Sequence, residues 1–242
     1  MKIALLGAES TGKSDLGRLL ERHFVAQGKS VQHVPEYLRR WCDERQRTPR
    51  IDEQLGIATE QIRQIDAATP CDYLIADTTP LMVATYSDLL FADTSLYDLA
   101  LHYQRSFDIT LLMGLDIPWV ADGIQRDGPH VREPVDSRIR AALARGGINY
   151  QVVYGSGVAR LQNALRCITS ASTSTSTSTS TSTSTSTSTS TSAAISAADD
   201  IEPKDKPVRF KNWVCERCSD PECEHRLFVD LLNKSRIARM VD

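Results

Sequence analysis

Near the amino terminus, Gly7-Ala8-Glu9-Ser10-Thr11-Gly12-Lys13-Ser14 sets glycine, lysine and a hydroxyl at the spacing G-x-x-x-x-G-K-[ST]. Glycines so placed let the backbone N–H groups from Gly7 to Gly12 turn inward around a polyphosphate, while Lys13 reaches the terminal phosphates and the Ser14 hydroxyl ligates Mg²⁺. The apolar run KIALL precedes the loop and the helical spacing Leu16, Leu19, Leu20, Phe24 follows it. A loop between a strand and a helix amino terminus is the context that phosphate binding requires.

Further chemistry-bearing residues stand behind other apolar runs. Asp77 closes YLIAD, where an acid can hold Mg²⁺ opposite the Ser14 hydroxyl; a helix N-cap is the alternative. Pro35-Glu36-Tyr37 follows SVQHV and offers a carboxylate to orient or deprotonate a hydroxyl, beside a flat ring; a first-turn helix acid is the alternative for Glu36. Residues 118–132, rich in Gly and Pro, carry Arg126 and Arg132, with Arg138 just beyond. Their pattern predicts a closing segment whose arginines neutralise the charge that phosphoryl transfer develops, or else solvated surface arginines. Gly155-Ser156-Gly157 is a tight connection that could hold an adenine base or simply turn the chain.

To position these residues, strands at 2–6, 30–34, 73–76, 108–113 and 150–154 alternate with helical patterns at 13–27, 36–46, 52–68, 80–91, 93–106, 134–146 and 157–168. The alternation predicts an α/β P-loop NTPase fold, a five-stranded parallel sheet flanked by helices, with ligands at the carboxyl ends of the strands. We expect this domain over residues 1–168, a disordered Ser/Thr-repeat linker over 169–207 and a small Cys/His-rich module over 208–242. The Ser/Thr alternation from Ser172 to Ser192 has two polar faces and therefore no apolar surface to offset the entropy of ordering.

The chain has 242 residues, 41% of them hydrophobic, and a formal net charge of −3. That balance supplies no general attraction to nucleic acid or anionic membrane and favours a small-molecule partner. No apolar run is long enough to span a bilayer and KIALLG is too short for a secretory signal, so a cytoplasmic protein is expected. In the tail, Cys215, Cys218, Cys223 and His225 supply three thiolates and an imidazole, the ligand set of a closed tetrahedral Zn²⁺ site; plain reduced cysteines are the alternative. Such a tail could also engage a protein partner.

With these pieces in place, residues 1–168 resemble the NadR-like P-loop (AAA-type) family, whose best-known activity is the ribosylnicotinamide kinase domain of bacterial NAD-biosynthesis regulators. The resemblance rests on G-x-E-S-T-G-K-S, Glu36-Tyr37-x-Arg39, Asp77-Thr78 and Trp119-Val-x-Asp122-Gly123, in that order. It implies ATP-dependent transfer to a nucleoside-like hydroxyl. Lys13, Ser14 and Asp77 would then stand at the triphosphate, and Glu36 and Tyr37 near the acceptor with Arg39, Trp119 and Asp122. Two other classes stay open: an ATPase or GTPase switch, and a regulatory nucleotide-binding module without a small-molecule acceptor.

Overall fold

The computed structural model describes residues 1–120 and 128–175, with side chains described as far as residue 170. Its strands are β1 (Lys2–Leu6), β2 (Val31–Val34), β3 (Tyr73–Asp77), β4 (Ile109–Met113) and β5 (Gln151–Val153). Between and after them lie α1 (Lys13–Ala26), α2 (Tyr37–Arg45), α3 (Gln54–Asp66), α4 (Pro80–Phe91), α5 (Tyr97–Gln104), α6 (Arg132–Arg145) and α7 (Gly157–Thr175). Single 3-10 turns at Ile51–Glu53 and Pro129–Val131 lead into α3 and α6.

All strand pairs are parallel and the sheet runs β2-β3-β1-β4-β5. A parallel sheet covered on both faces needs apolar residues pointing both ways, which is why KIALL and ITLLM are nearly continuous hydrophobic runs. On one face Leu6 and Leu112 join the core built with Ile57, Leu81, Val83, Val135 and Leu143 of α3, α4 and α6. On the other, Ile3, Leu5, Leu111 and Met113 pack against Leu16, Leu20 and Phe24 of α1 and Ala164 and Ile168 of α7. β1 leaves the sheet toward β2 while its neighbour β4 leaves toward β5. That divergence opens a crevice at the carboxyl ends of the two strands.

The elements depart from expectation at their ends. α5 begins at Tyr97 rather than near 93, because the Asp93 carboxylate accepts the Ser95 N–H at 3.0 Å and gives the chain a local turn instead of a helical one. α3 is entered through a 3-10 turn in which Glu53 accepts the Arg50 N–H at 2.8 Å. α7 continues to Thr175, past residue 168 where its apolar spacing ends, since a nucleated helix gains a hydrogen bond with each added residue. No described helix is long and apolar enough to cross a membrane.

Candidate functional site

Gly7 leaves β1 with φ +149°, and a Cβ there would stand 2.9 Å from the Met113 Cβ of β4. Glycine is therefore needed for the chain to pass the end of β4. Ser10 (φ 53°) and Gly12 (φ 74°) take left-handed conformations that bend the loop onto the amino terminus of α1. The Thr11 hydroxyl donates to the Ala8 carbonyl at 2.7 Å, and the Lys13 ammonium donates to the Gly7 and Ala8 carbonyls at 2.8 and 2.9 Å. Desolvation lowers the pKa of Lys13, opposed by the carboxylates of Glu36, Asp77 and Glu9, with Arg39 also within electrostatic reach. Three elements thus converge on one ammonium: the loop, the end of β2 and the end of β3. Ser14 follows Lys13 in the first turn of α1.

Asp77 ends β3 beside Leu5 of β1, is 3% exposed, and its Oδ1 has no hydrogen-bond partner. An unpartnered buried carboxylate oxygen is costly unless something positive meets it. Mg²⁺ fits: it is commonly held by one or two protein oxygens with phosphates and waters completing its shell. Among the described residues no group of three or more His, Cys, Asp or Glu side chains is arranged to hold a metal by itself. Asp77 is not a helix N-cap; Thr79 fills that position for α4, accepting the Leu81 N–H at 3.3 Å and donating to Gln104 at 2.6 Å.

Glu36 is the N-cap residue of α2 and its carboxylate lies 3.7 Å from the Arg39 guanidinium. This corner is pinned by Gln61 of α3, which accepts the Tyr37 N–H at 2.7 Å and donates to the Pro35 carbonyl at 3.3 Å. Gln61 is almost fully buried. Tyr37 packs against the core, with the Arg40 guanidinium 5.0 Å above its ring.

Behind β4 the geometry is more closely tied to the phosphate loop than the sequence suggests. The Trp119 indole N–H donates to Glu9 Oε1 at 2.8 Å, and the Gly128 N–H donates to the same oxygen at 2.9 Å. The Val120 N–H donates to the Ser10 hydroxyl at 2.8 Å. Glu9 and Ser10, expected to contact nucleotide, thus also anchor both flanks of residues 121–127, and Trp119 stands against the loop. Asp122 and Arg126 lie outside the described residues, as do Cys215, Cys218, Cys223 and His225. Arg132 opens α6, is 8% exposed, and its Nε and Nη2 have no partner. Arg138 instead pairs with Asp88 of α4 at 3.2 Å, an oxygen that also accepts the Tyr97 hydroxyl at 3.0 Å, so it holds helices together.

Three residues here carried no signal in the sequence. Gln61 is one. Asp116 accepts the Gly155 N–H at 2.6 Å, and Arg160 of α7 donates both to Asp116 at 2.8 Å and to the Thr11 carbonyl of the phosphate loop. Their contacts are made across 24 to 149 positions in the chain, beyond what local spacing encodes.

A family profile described as an AAA domain matches residues 2–160. No curated protein is similar enough in sequence to match the chain. Among solved structures, a NadR protein in complex with NR is similar at 17% identity and a TM-score of 0.54, over 70% of this chain and 50% of that one. The chain therefore corresponds to half the length of that protein. A thymidylate kinase from Ehrlichia chaffeensis is similar at 16% identity and a TM-score of 0.50, over 70% of this chain and 97% of that one. At such identities the likeness is one of fold.

Proposed function

We propose, on the premise that this chain belongs to the AAA domain family matched over residues 2–160, that it is a kinase moving the γ-phosphate of ATP to a nucleoside-like hydroxyl. The observation that carries this proposal is the convergence on Lys13: besides Asp77 at the end of β3, Glu36 at the start of α2 lies within electrostatic reach of its ammonium, and α2 is an element that ATP binding alone does not require. An acceptor between Glu36 and the loop would lie in line with the γ-phosphate. Glu36 would take the proton of the acceptor hydroxyl as its oxygen bonds to phosphorus. The bond from phosphorus to the bridging oxygen then breaks, and the negative charge passes to ADP.

Lys13 and the inward N–H groups of the loop would hold the phosphate chain before and during transfer. Mg²⁺, when bound, would be held by Asp77 and Ser14 and would offset charge on the phosphate oxygens. Arg132 would add a second cation from the β4 side. Tyr37 would offer a ring-bearing acceptor an aromatic surface beside Glu36. Nicotinamide riboside is the first acceptor to test, given the resemblance of the loop, Glu36-Tyr37-x-Arg39 and Asp77-Thr78 segments to the ribosylnicotinamide kinase family.

For the rest of the chain, we assign Zn²⁺ to Cys215, Cys218, Cys223 and His225 on ligand type and spacing, a passive spacer role to the Ser/Thr repeat, and a cytoplasmic setting to the whole. The catalytic proposal is tested by ADP release from ATP and Mg²⁺ across a nucleoside panel that includes nicotinamide riboside. Stimulation by one or a few nucleosides supports a kinase; release that no acceptor stimulates replaces it with a hydrolytic switch.

A further inference from the structure

We propose that Arg160 belongs to the nucleotide site: it braces the phosphate loop at Thr11 against the loop after β4 at Asp116, and with Arg132 forms a buried anion receptor that a bound phosphate chain completes. The inference deepens the nucleotide-binding half of the proposed function and rests on it.

Three observations carry it. First, the Arg160 guanidinium is 3% exposed and spans two loops, donating to the Thr11 carbonyl and, at 2.8 Å, to Asp116 Oδ1. Asp116 Oδ2 in turn accepts the Gly155 N–H at 2.6 Å, so the chain from Thr11 through Arg160 and Asp116 to Gly155 is continuous. It joins the phosphate loop to the turn after β5. A Cβ on Gly12 would meet Arg160 Nη1 at 3.3 Å, which shows how closely the guanidinium underlies the glycine that opens α1.

Second, part of each guanidinium goes unmet. Arg160 Nε and Arg132 Nε and Nη2 are buried without a hydrogen-bond partner. A guanidinium that stays charged while its N–H groups go unmet in the interior destabilises the ligand-free protein. Third, the two arginines sense one another: burial lowers the pKa of Arg160, Asp116 opposes this, and Arg132 lowers it further. Like charges within electrostatic reach of one another are relieved by an anion, and a triphosphate supplies several oxygens in the fork geometry that guanidinium groups favour.

The test measures calorimetric binding of ATP and of inorganic tripolyphosphate, and the melting temperature of the ligand-free chain. It uses wild type, Arg132→Gln, Arg160→Lys, Asp116→Asn and the Arg160→Lys/Asp116→Asn double variant. Arg132→Gln should melt no lower than wild type yet bind both ligands about tenfold more weakly or worse, a combination that a merely structural arginine does not produce. Arg160→Lys keeps the charge but loses the fork, and Asp116→Asn weakens the same brace from its other end. Each should weaken ATP binding by about tenfold, and the double variant should be little worse than either alone, because one brace can be broken only once.

ATP binding unchanged in Arg160→Lys, fully additive losses in the double variant, or an Arg132→Gln protein that melts well below wild type with its affinities intact would each overturn the proposal. A wild type that binds neither ligand overturns it together with the nucleotide-site assignment. A wild type that binds both, with the expected losses in the variants, but transfers phosphate to no acceptor supports the arginine pair and removes only the kinase.

Discussion

Lys13 and Glu36 lie within electrostatic reach of one another, yet their removal should have different consequences. Lys13→Met takes away a charge that serves bound ATP and the transition state alike, so nucleotide affinity and turnover should both fall, turnover by roughly 10²-fold or more. Titration of ATP beside steady-state kinetics checks this. Glu36→Gln is nearly isosteric and should leave ATP affinity within about twofold of wild type while acceptor-dependent turnover falls by roughly 10²-fold or more. Equal losses in affinity and turnover would place Glu36 at the nucleotide instead. That Glu36 and Asp77 lie within electrostatic reach of Lys13 was legible in the sequence, Lys13 from the G-x-x-x-x-G-K-S spacing and Glu36 and Asp77 from their places at the ends of apolar runs. Gln61, Asp116 and Arg160 were not, because a glutamine, an aspartate or an arginine acquires its role only from distant backbone that the fold brings to it.

At the scale of elements, the sheet and its order of helices follow from alternation, since buried parallel strands must be apolar runs and covering helices must repeat at helical spacing. The ends do not follow so readily. Asp93 delays α5 through a side-chain hydrogen bond, and α7 runs on into Ser/Thr-rich sequence, both local competitions that apolar spacing does not report. Gly7 is where element and site meet. Gly7→Ala places a methyl against Met113 in a conformation that L residues rarely adopt, so it should lower the melting temperature and weaken ATP binding by about tenfold or more. A variant as stable and as tight-binding as wild type would show that the loop has room to shift.

The junction between α2 and α3 should respond to pH. Arg47 pairs with Glu53 at 2.6 Å, and that bond, helped by the Arg50 N–H, draws the Glu53 carboxyl from 4.5 down to about 2. A depressed carboxylate stabilises the fold above the unfolded value and loses that contribution as pH falls through the folded one. Glu53→Gln should therefore melt a few degrees below wild type at neutral pH, with the gap closing between pH 4.5 and about 2.

Across the whole molecule, the proposed nucleotide site draws on residues at the ends of β1, β2, β3 and β4, all within the region that matches the AAA domain. Shortening the Ser/Thr repeat between 176 and 192 should leave ATP affinity unchanged, because a linker without apolar residues has nothing to contribute to that site and closure entropy varies only logarithmically with length. The tail should hold close to one equivalent of zinc after purification of the full chain without chelators. Less than about a tenth of an equivalent would remove the zinc assignment, since closed thiolate sites bind tightly. The central claim concerns where the γ-phosphate goes. The measurement is a chase of γ-labelled ATP with the full-length chain, Mg²⁺ and the most stimulating nucleoside, separating nucleoside monophosphate from inorganic phosphate. A kinase with Glu36 at its acceptor puts the label into the nucleoside monophosphate, and Glu36→Gln forms that product roughly 10²-fold more slowly or worse while still binding ATP. Label appearing only as inorganic phosphate, at the same rate with and without nucleoside and in Glu36→Gln, would contradict it.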